Sequence, residues 1–208
     1  MTDIDVPARI AKLPLNKAGY PVPWFVAYID GEPDFRVIAP GTIERAMARR
    51  LCWICGERMT GPTSAFVIGP MCAVNRISAE PPSHRDCAEF AAKACPFLAN
   101  PKKRRREGNK PEHDEPPGTM ITRNPGVALV WVTRHWEPFR EGRGYLFKVG
   151  APSRTLWFAE GREATHDEVM ASIESGLPIL AEMAAKDGPE AMLALSRLVD
   201  EAMQLVPA

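Results

Sequence analysis

Two pairs of metal-binding side chains constrain this chain more than anything else in it. Cys52-Trp53-Ile54-Cys55-Gly56 offers two thiols, and His84-Arg85-Asp86-Cys87, which begins 28 residues after Gly56, offers an imidazole and a third thiol. A Cys-x-x-Cys turn aims both sulfurs at one point, and Gly56 permits the backbone reversal that follows. Residues three apart on a helix share a face, so His84 and Cys87 converge if a helix begins there. The positive end of that helix also favours thiolate over thiol. Four soft or borderline donors in two close pairs match a closed tetrahedral site. The spacing therefore predicts a structural Zn2+ held by Cys52, Cys55, His84 and Cys87. Cys72 lies between the pairs and is the alternative to His84 as fourth ligand. Otherwise Cys72 and Cys95 read as small buried hydrophobes. Three thiolates on a divalent cation leave one negative charge; Arg58, Arg76 and Arg85 are near enough in sequence to offset it, although each by itself reads more simply as a solvated surface arginine.

Five cysteines is an odd number, and four close-paired soft donors fit a metal site in a reducing compartment better than a disulfide framework. At 208 residues the chain can hold one large domain or two small ones. Lys plus Arg equals Asp plus Glu at 26 each, which argues against a protein that sheathes nucleic acid through basic excess. The charge is uneven, however. Residues 99–126 carry seven basic and four acidic side chains, and residues 127–208 carry eight and twelve. No apolar run approaches the length needed to span a bilayer, and residues 1–23 lack the apolar core of a signal peptide. The expectation is a cytoplasmic protein with no membrane contact.

Along the chain, Trp24–Ile29 and Asp34–Ile38 flank Asp30-Gly31 and predict a hairpin. Thr42 is placed to cap a helix through Arg50. Ala65–Ile68 and Met71–Val74 around Gly69-Pro70 read as a second hairpin, and Ser83 as the cap of a helix over 84–94 that ends at Pro96. Residues 99–118 form a linker too polar to bury surface. It contains Lys102, Lys103, Arg104, Arg105 and Arg106, which could neutralise phosphates if ordered on nucleic acid and are otherwise a solvated run. Val127–Val132 then reads as a central strand, with Tyr145–Val149 and Thr155–Phe158 as its neighbours. Thr165-His166-Asp167-Glu168 is a capping box opening a helix to about Ser175, which Gly176 and Pro178 should break. A helix over 179–186 and a final amphipathic helix after Gly188-Pro189 complete the chain. The fold class is α+β: an N-terminal hairpin and zinc-binding region over 1–98, the linker over 99–118, and a small antiparallel sheet packed with C-terminal helices over 119–208. Trp24–Ile29 and Val127–Val132 both need partners, so a core shared between the two regions stays open.

Catalytic patterns are scarce. A catalytic zinc keeps one position open for water, whereas four protein ligands are available here. Zinc deaminases place His-x-Glu before Pro-Cys-x-x-Cys, and this chain has the reverse order with Asp86 where the Glu would sit. No nucleophile elbow, phosphate-binding glycine loop or dinucleotide fingerprint is present. Trp131, His135 and Trp136 beside Arg134 and Arg140 could stack a base, but sheet core plus an exposed strand end accounts for them more simply.

A knuckle, a hairpin and a helix whose first turn holds the second ligand pair resembles the treble-clef class of zinc fingers over roughly residues 50–98. HNH endonucleases share a similar ββα-metal unit and are the enzyme alternative. They need a His base on the first strand and a metal-binding His on the helix, while this stretch offers Asn75 and no histidine besides His84. The stretches Phe66-Val67-Ile68-Gly69-Pro70-Met71-Cys72-Ala73-Val74-Asn75-Arg76, Glu80-Pro81-Pro82-Ser83-His84-Arg85-Asp86-Cys87 and Asn124-Pro125-Gly126-Val127 onward resemble uncharacterised proteins of bacteriophages and prophages. That resemblance implies a bacterial cytoplasm as the setting and no mechanism. The expected function is a zinc-stabilised, non-enzymatic binding module whose partner is a protein or nucleic acid.

Overall fold

The computed structural model of the protein describes residues 4–102 and 124–208. In chain order the elements are β1 (Val26–Ile29), β2 (Glu32–Ile38), α1 (Thr42–Arg49), β3 (Ser64–Ile68), α2 (Pro70–Asn75), β4 (Ile77–Ser78), α3 (Arg85–Ala94), β5 (Ala128–Thr133), β6 (Trp136–Glu141), β7 (Gly144–Val149), β8 (Pro152–Ala159), β9 (Arg162–Glu163), α4 (His166–Asp187) and α5 (Pro189–Met203). All strand pairs are antiparallel and fall into three sheets, ordered β1-β2, β3-β5-β8-β9 and β4-β7-β6. The α+β class expected above is the class observed.

The first hairpin forms as predicted. Ile29 pairs with Glu32 across Asp30-Gly31, and both turn residues take positive φ (52° and 81°), the geometry that a two-residue turn between twisted strands requires. At α1 the expected cap is displaced by one residue. Gly41, at φ 71°, precedes the helix, while the buried Thr42 is already helical and donates its hydroxyl to the Ala39 carbonyl. Ser83 likewise does not cap α3. It exchanges backbone hydrogen bonds with Ala65 (2.9 and 2.7 Å), and His84 takes the position before the helix.

The second hairpin is not formed. Met71–Val74 lies in α2, because Pro70 suits the first position of a helix and Pro70, Met71, Ala73 and Val74 are buried on it. A four-residue apolar run reads equally as strand or helix, and tertiary packing decided it. β3 pairs instead with β5, joining Phe66 to Trp131 and Ile68 to Leu129.

β5 is buried along its whole length because both faces of its sheet are covered. Leu129 and Trp131 point with Phe66, Ile68 and Trp157 into the main core, which α2, α4 and α5 help to enclose. Ala128, Val130 and Val132 point the other way, to Ala65, Phe158 and the alanines Ala88 and Ala92 of α3. Small side chains on α3 allow that helix to lie close to the sheet. Of the two strands expected beside β5, only β8 is there. β7 pairs with β6 and β4 in the third sheet. β6 escaped the sequence pattern because it is an exposed edge strand interrupted by Pro138, a residue tolerated at sheet edges.

The expected break at Gly176 and Pro178 is absent, and α4 runs through both. Gly176 marks close packing instead: a β-carbon there would lie 2.6 Å from Met71 Sδ. Pro178 removes one helix hydrogen bond, but the residue four before it, Glu174, is exposed, so its carbonyl can be solvated. The capping box at the start of α4 forms as predicted. Glu168 also receives both guanidinium nitrogens of Arg162 at 2.9 and 2.6 Å. The Arg162 hydrogen bonds, with help from the Thr165 backbone, hold the Glu168 carboxyl down to about 2. Its stabilising contribution is therefore complete above the ordinary carboxylate range and is lost as pH falls toward about 2. A carboxyl-detected NMR titration should give Glu168 the corresponding low midpoint, and Arg162→Ala should move it upward. An ordinary midpoint in the parent protein would refute this.

Among the described residues, no helix is long and apolar enough to cross a membrane.

Candidate metal centre

α1 delivers the chain directly into the first ligand pair. Leu51 and Arg58 bridge as a short antiparallel pair, and the backbone between them closes through Cys52 N–H to the Glu57 carbonyl (2.8 Å) and Gly56 N–H to the Cys52 carbonyl (2.9 Å). Gly56 takes φ 73° with the Trp24 ring against it, so a β-carbon there would lie 2.6 Å from Trp24 Cγ. Backbone conformation and space both require glycine at this point. Trp53 N–H donates to the Pro82 carbonyl at 3.0 Å, which draws the second ligand pair alongside the first.

The expected constellation assembles. One donor atom from each of Cys52, Cys55, His84 and Cys87 lies within 4.8 Å of all the others. His84 Nδ1 is 3.4 Å from Cys55 Sγ and 4.0 Å from Cys87 Sγ. Metal–ligand bonds of about 2.0–2.3 Å imply tetrahedral edges of roughly 3.5 Å, so these separations fit one ion at the centre. The three cysteines are buried and His84 partly so. Backbone N–H groups of Cys55 (3.5 Å) and His84 (3.3 Å) point at Cys52 Sγ, as suits a thiolate. His84 Nε2 lies 3.3 Å from the Arg58 carbonyl. With the proton on Nε2, that contact orients the ring and leaves the Nδ1 lone pair facing the sulfurs.

Protonation of the sulfurs points the same way. Hydrogen bonds from the Cys55 and Cys87 thiols hold Cys52 far below the ordinary thiol range. The same contact with Cys52 pushes Cys55 up to about 11, and Cys87 is driven higher still by its hydrogen bonds to the other two. The thiolate is thus favoured at Cys52 and disfavoured at its two neighbours, and a divalent cation would supply what those two need to ionise. Four Cys/His residues are placed to hold a metal ion. Cys72 does not join them, since it lies on α2 against the main core.

Two of the three arginines that could offset the charge of the centre are engaged with carboxylates. Arg76 pairs with Glu201 and Arg85 with Glu89, while Arg58 contributes its carbonyl. A fourth arginine, Arg9, lies near enough to Cys87 to feel its charge, though it too is paired with carboxylates. Its guanidinium reaches Asp86 at 2.7 Å and Glu57 at 3.3 Å, and Lys12 reaches Glu57 at 2.8 Å. Between them the fully buried Ile10 packs in one cluster with Cys52, Cys55, Cys87, Met59 and Phe90. The N-terminal arm is therefore a strap over the centre. Its sequence signal was the spacing of Val6, Ile10 and Leu13, masked by Pro7 and Pro14.

Beside the centre, Trp53 stacks on Phe25 (4.6 Å, interplanar 2°), and its buried Nε1–H has no hydrogen-bond partner among the described residues. Trp53→Phe keeps the stacking and removes that donor, so it should shift stability by no more than about 1 kcal/mol, against about 3–5 kcal/mol for Trp53→Ala. Urea unfolding of both variants checks this. Equal losses would mean the indole N–H is satisfied.

The remaining candidates do not converge on a site. Lys102 is exposed, and Lys103, Arg104, Arg105 and Arg106 lie outside the described residues, as does most of the 99–118 linker. Asn75 accepts the Ile77 N–H at 2.9 Å and closes a turn. Trp131 is fully buried, and Trp136 packs between Phe66 and Phe147, so neither offers a stacking face.

No protein-family model, curated protein or solved structure matches the chain.

Proposed function

We propose that this chain is a zinc-stabilised, non-enzymatic binding module of a phage or prophage, acting in the bacterial cytoplasm. The observation that carries the reading is the closed set of four donors, Cys52, Cys55, His84 and Cys87, buried under a strap. Three sulfurs and one imidazole in a tetrahedron suit zinc above oxygen-seeking cations, and a site without an open position is structural rather than hydrolytic. Support for binding over cleavage comes from the segment after β3. The strand pair that an HNH-type unit would use is replaced by α2, and Asn75 is occupied within its turn. A protein partner fits the charge balance better than nucleic acid does. The Lys102–Arg106 run is the feature through which nucleic acid would act.

The test is direct. Purified protein should carry one zinc per chain by elemental analysis, leave plasmid DNA intact with Mg2+ or Mn2+, and show no retention on DNA that Arg104→Ala with Arg105→Ala abolishes. Absence of bound zinc, or nicking that disappears with Asn75→Ala, would overturn the reading.

A further inference from the structure

We infer that the outer half of the α4–α5 hairpin is a docking surface for a basic amphipathic helix of a partner protein. This rests on the binding-module reading above and names the partner's chemistry. The base of the hairpin is anchored: Val169, Ile173 and Gly176 of α4 and Ala202 of α5 are buried, and α2 packs against both helices. From Leu177 to Glu201, by contrast, not one residue is buried. Two helices of 22 and 15 residues thus lie half-open here, held to the core only by partly buried side chains such as Leu177 and Leu180. On α5, Leu195, Leu198 and Val199 lean on the main core, while Met192 (40% exposed) and Leu193 (63%) do not, and Met183 of α4 is 39% exposed. Methionine and leucine on open helical faces are the residues that adapt to another helix.

Charge decides the occupant. The outer half, residues 177–201, holds five acidic side chains and two basic ones. One base, Lys186, is already paired with Glu182, while among the described residues Asp187, Glu190 and Asp200 form no ion pair. Such a surface repels nucleic acid and repels a second copy of itself. A helix with an apolar stripe and lysine or arginine on its flanks gains from burial and from charge together.

The experiment uses the full chain and two synthetic 18-residue helices with leucine at i, i+3 and i+4 spacing, one filled with lysine and one with glutamate. By fluorescence anisotropy the lysine peptide should bind and the glutamate peptide should not. Binding of the lysine peptide should weaken about tenfold or more in Met183→Gln with Leu193→Gln, a pair of substitutions that leaves the helices and the zinc content intact. Asp187→Asn with Glu190→Asn should flatten its salt dependence. Equal binding of both peptides, binding indifferent to the glutamine pair, or a dimer in sedimentation that Leu193→Gln dissolves would overturn the inference. Each of these can occur with one zinc still bound per chain, whereas missing zinc removes the parent reading instead.

Discussion

Removing the metal with a chelator, or replacing Cys52 with Ser, should free the N-terminal strap and expose it to trypsin at Lys12 and Lys17. Cys52 is fully buried, and its sulfur receives backbone N–H groups from both ligand segments, so it joins the two halves of the centre. Without a cation, three contacting sulfurs hold a single negative charge and lose what draws them together. Structural zinc supplies on the order of 10 kcal/mol of folding free energy in small finger peptides, comparable with the whole stability of many domains. Ile10 packs directly on the ligand cluster and Arg9 spans Glu57 and Asp86 beside it, so the strap has nothing to dock on once the cluster opens. Cleavage after Lys12 should accelerate at least about tenfold on metal removal, because opening of the strap then costs little. Cleavage after Lys186, on the exposed side of α4, should change much less. An identical digestion pattern with and without metal would show that the strap is held independently of the centre.

Trp131→Ala should be the most damaging single truncation in the main core, at about 3–5 kcal/mol. The ring is fully buried in the middle strand of the largest sheet, opposite Phe66. Its Nε1–H donates to the Gly150 carbonyl at 2.9 Å, which ties the second sheet to the third. Truncation leaves a cavity and also strands that carbonyl, and the two losses add. Trp136→Ala removes a half-buried ring and should cost clearly less. Urea unfolding midpoints compare the two. A loss below about 2 kcal/mol for Trp131→Ala would mean that the sheets are not coupled through it.

The metal centre was legible because its information is local. Cys-x-x-Cys and His-x-x-Cys fix their own geometry, and only their convergence depends on the rest of the chain. The Asp30-Gly31 turn and the Thr165–Glu168 capping box were legible for the same reason. What could not be read is whatever a distant residue decided. Met71–Val74 is helical because of the packing that α4 and α5 provide from a hundred residues away. Gly176 looks like a helix stop until Met71 is found against it. Arg9 lies far from Asp86 in sequence, so its ion pair beside the centre had no local signal.

The pairing of β3 with β5 has a consequence for how the molecule is made. Phe66 must wait for Trp131, sixty-five positions later, before its strand has a neighbour in the sheet. The four candidate metal ligands, in contrast, all lie between residues 52 and 87 and are synthesised well before Trp131. During synthesis a metal-clamped corner can therefore set early while the apolar edge beside it stays uncovered. Such long-range closure is slow and exposes the nascent chain to aggregation. A fragment ending at residue 102 would keep that edge bare, so the two ligand pairs can meet long before the sheet beside them can close.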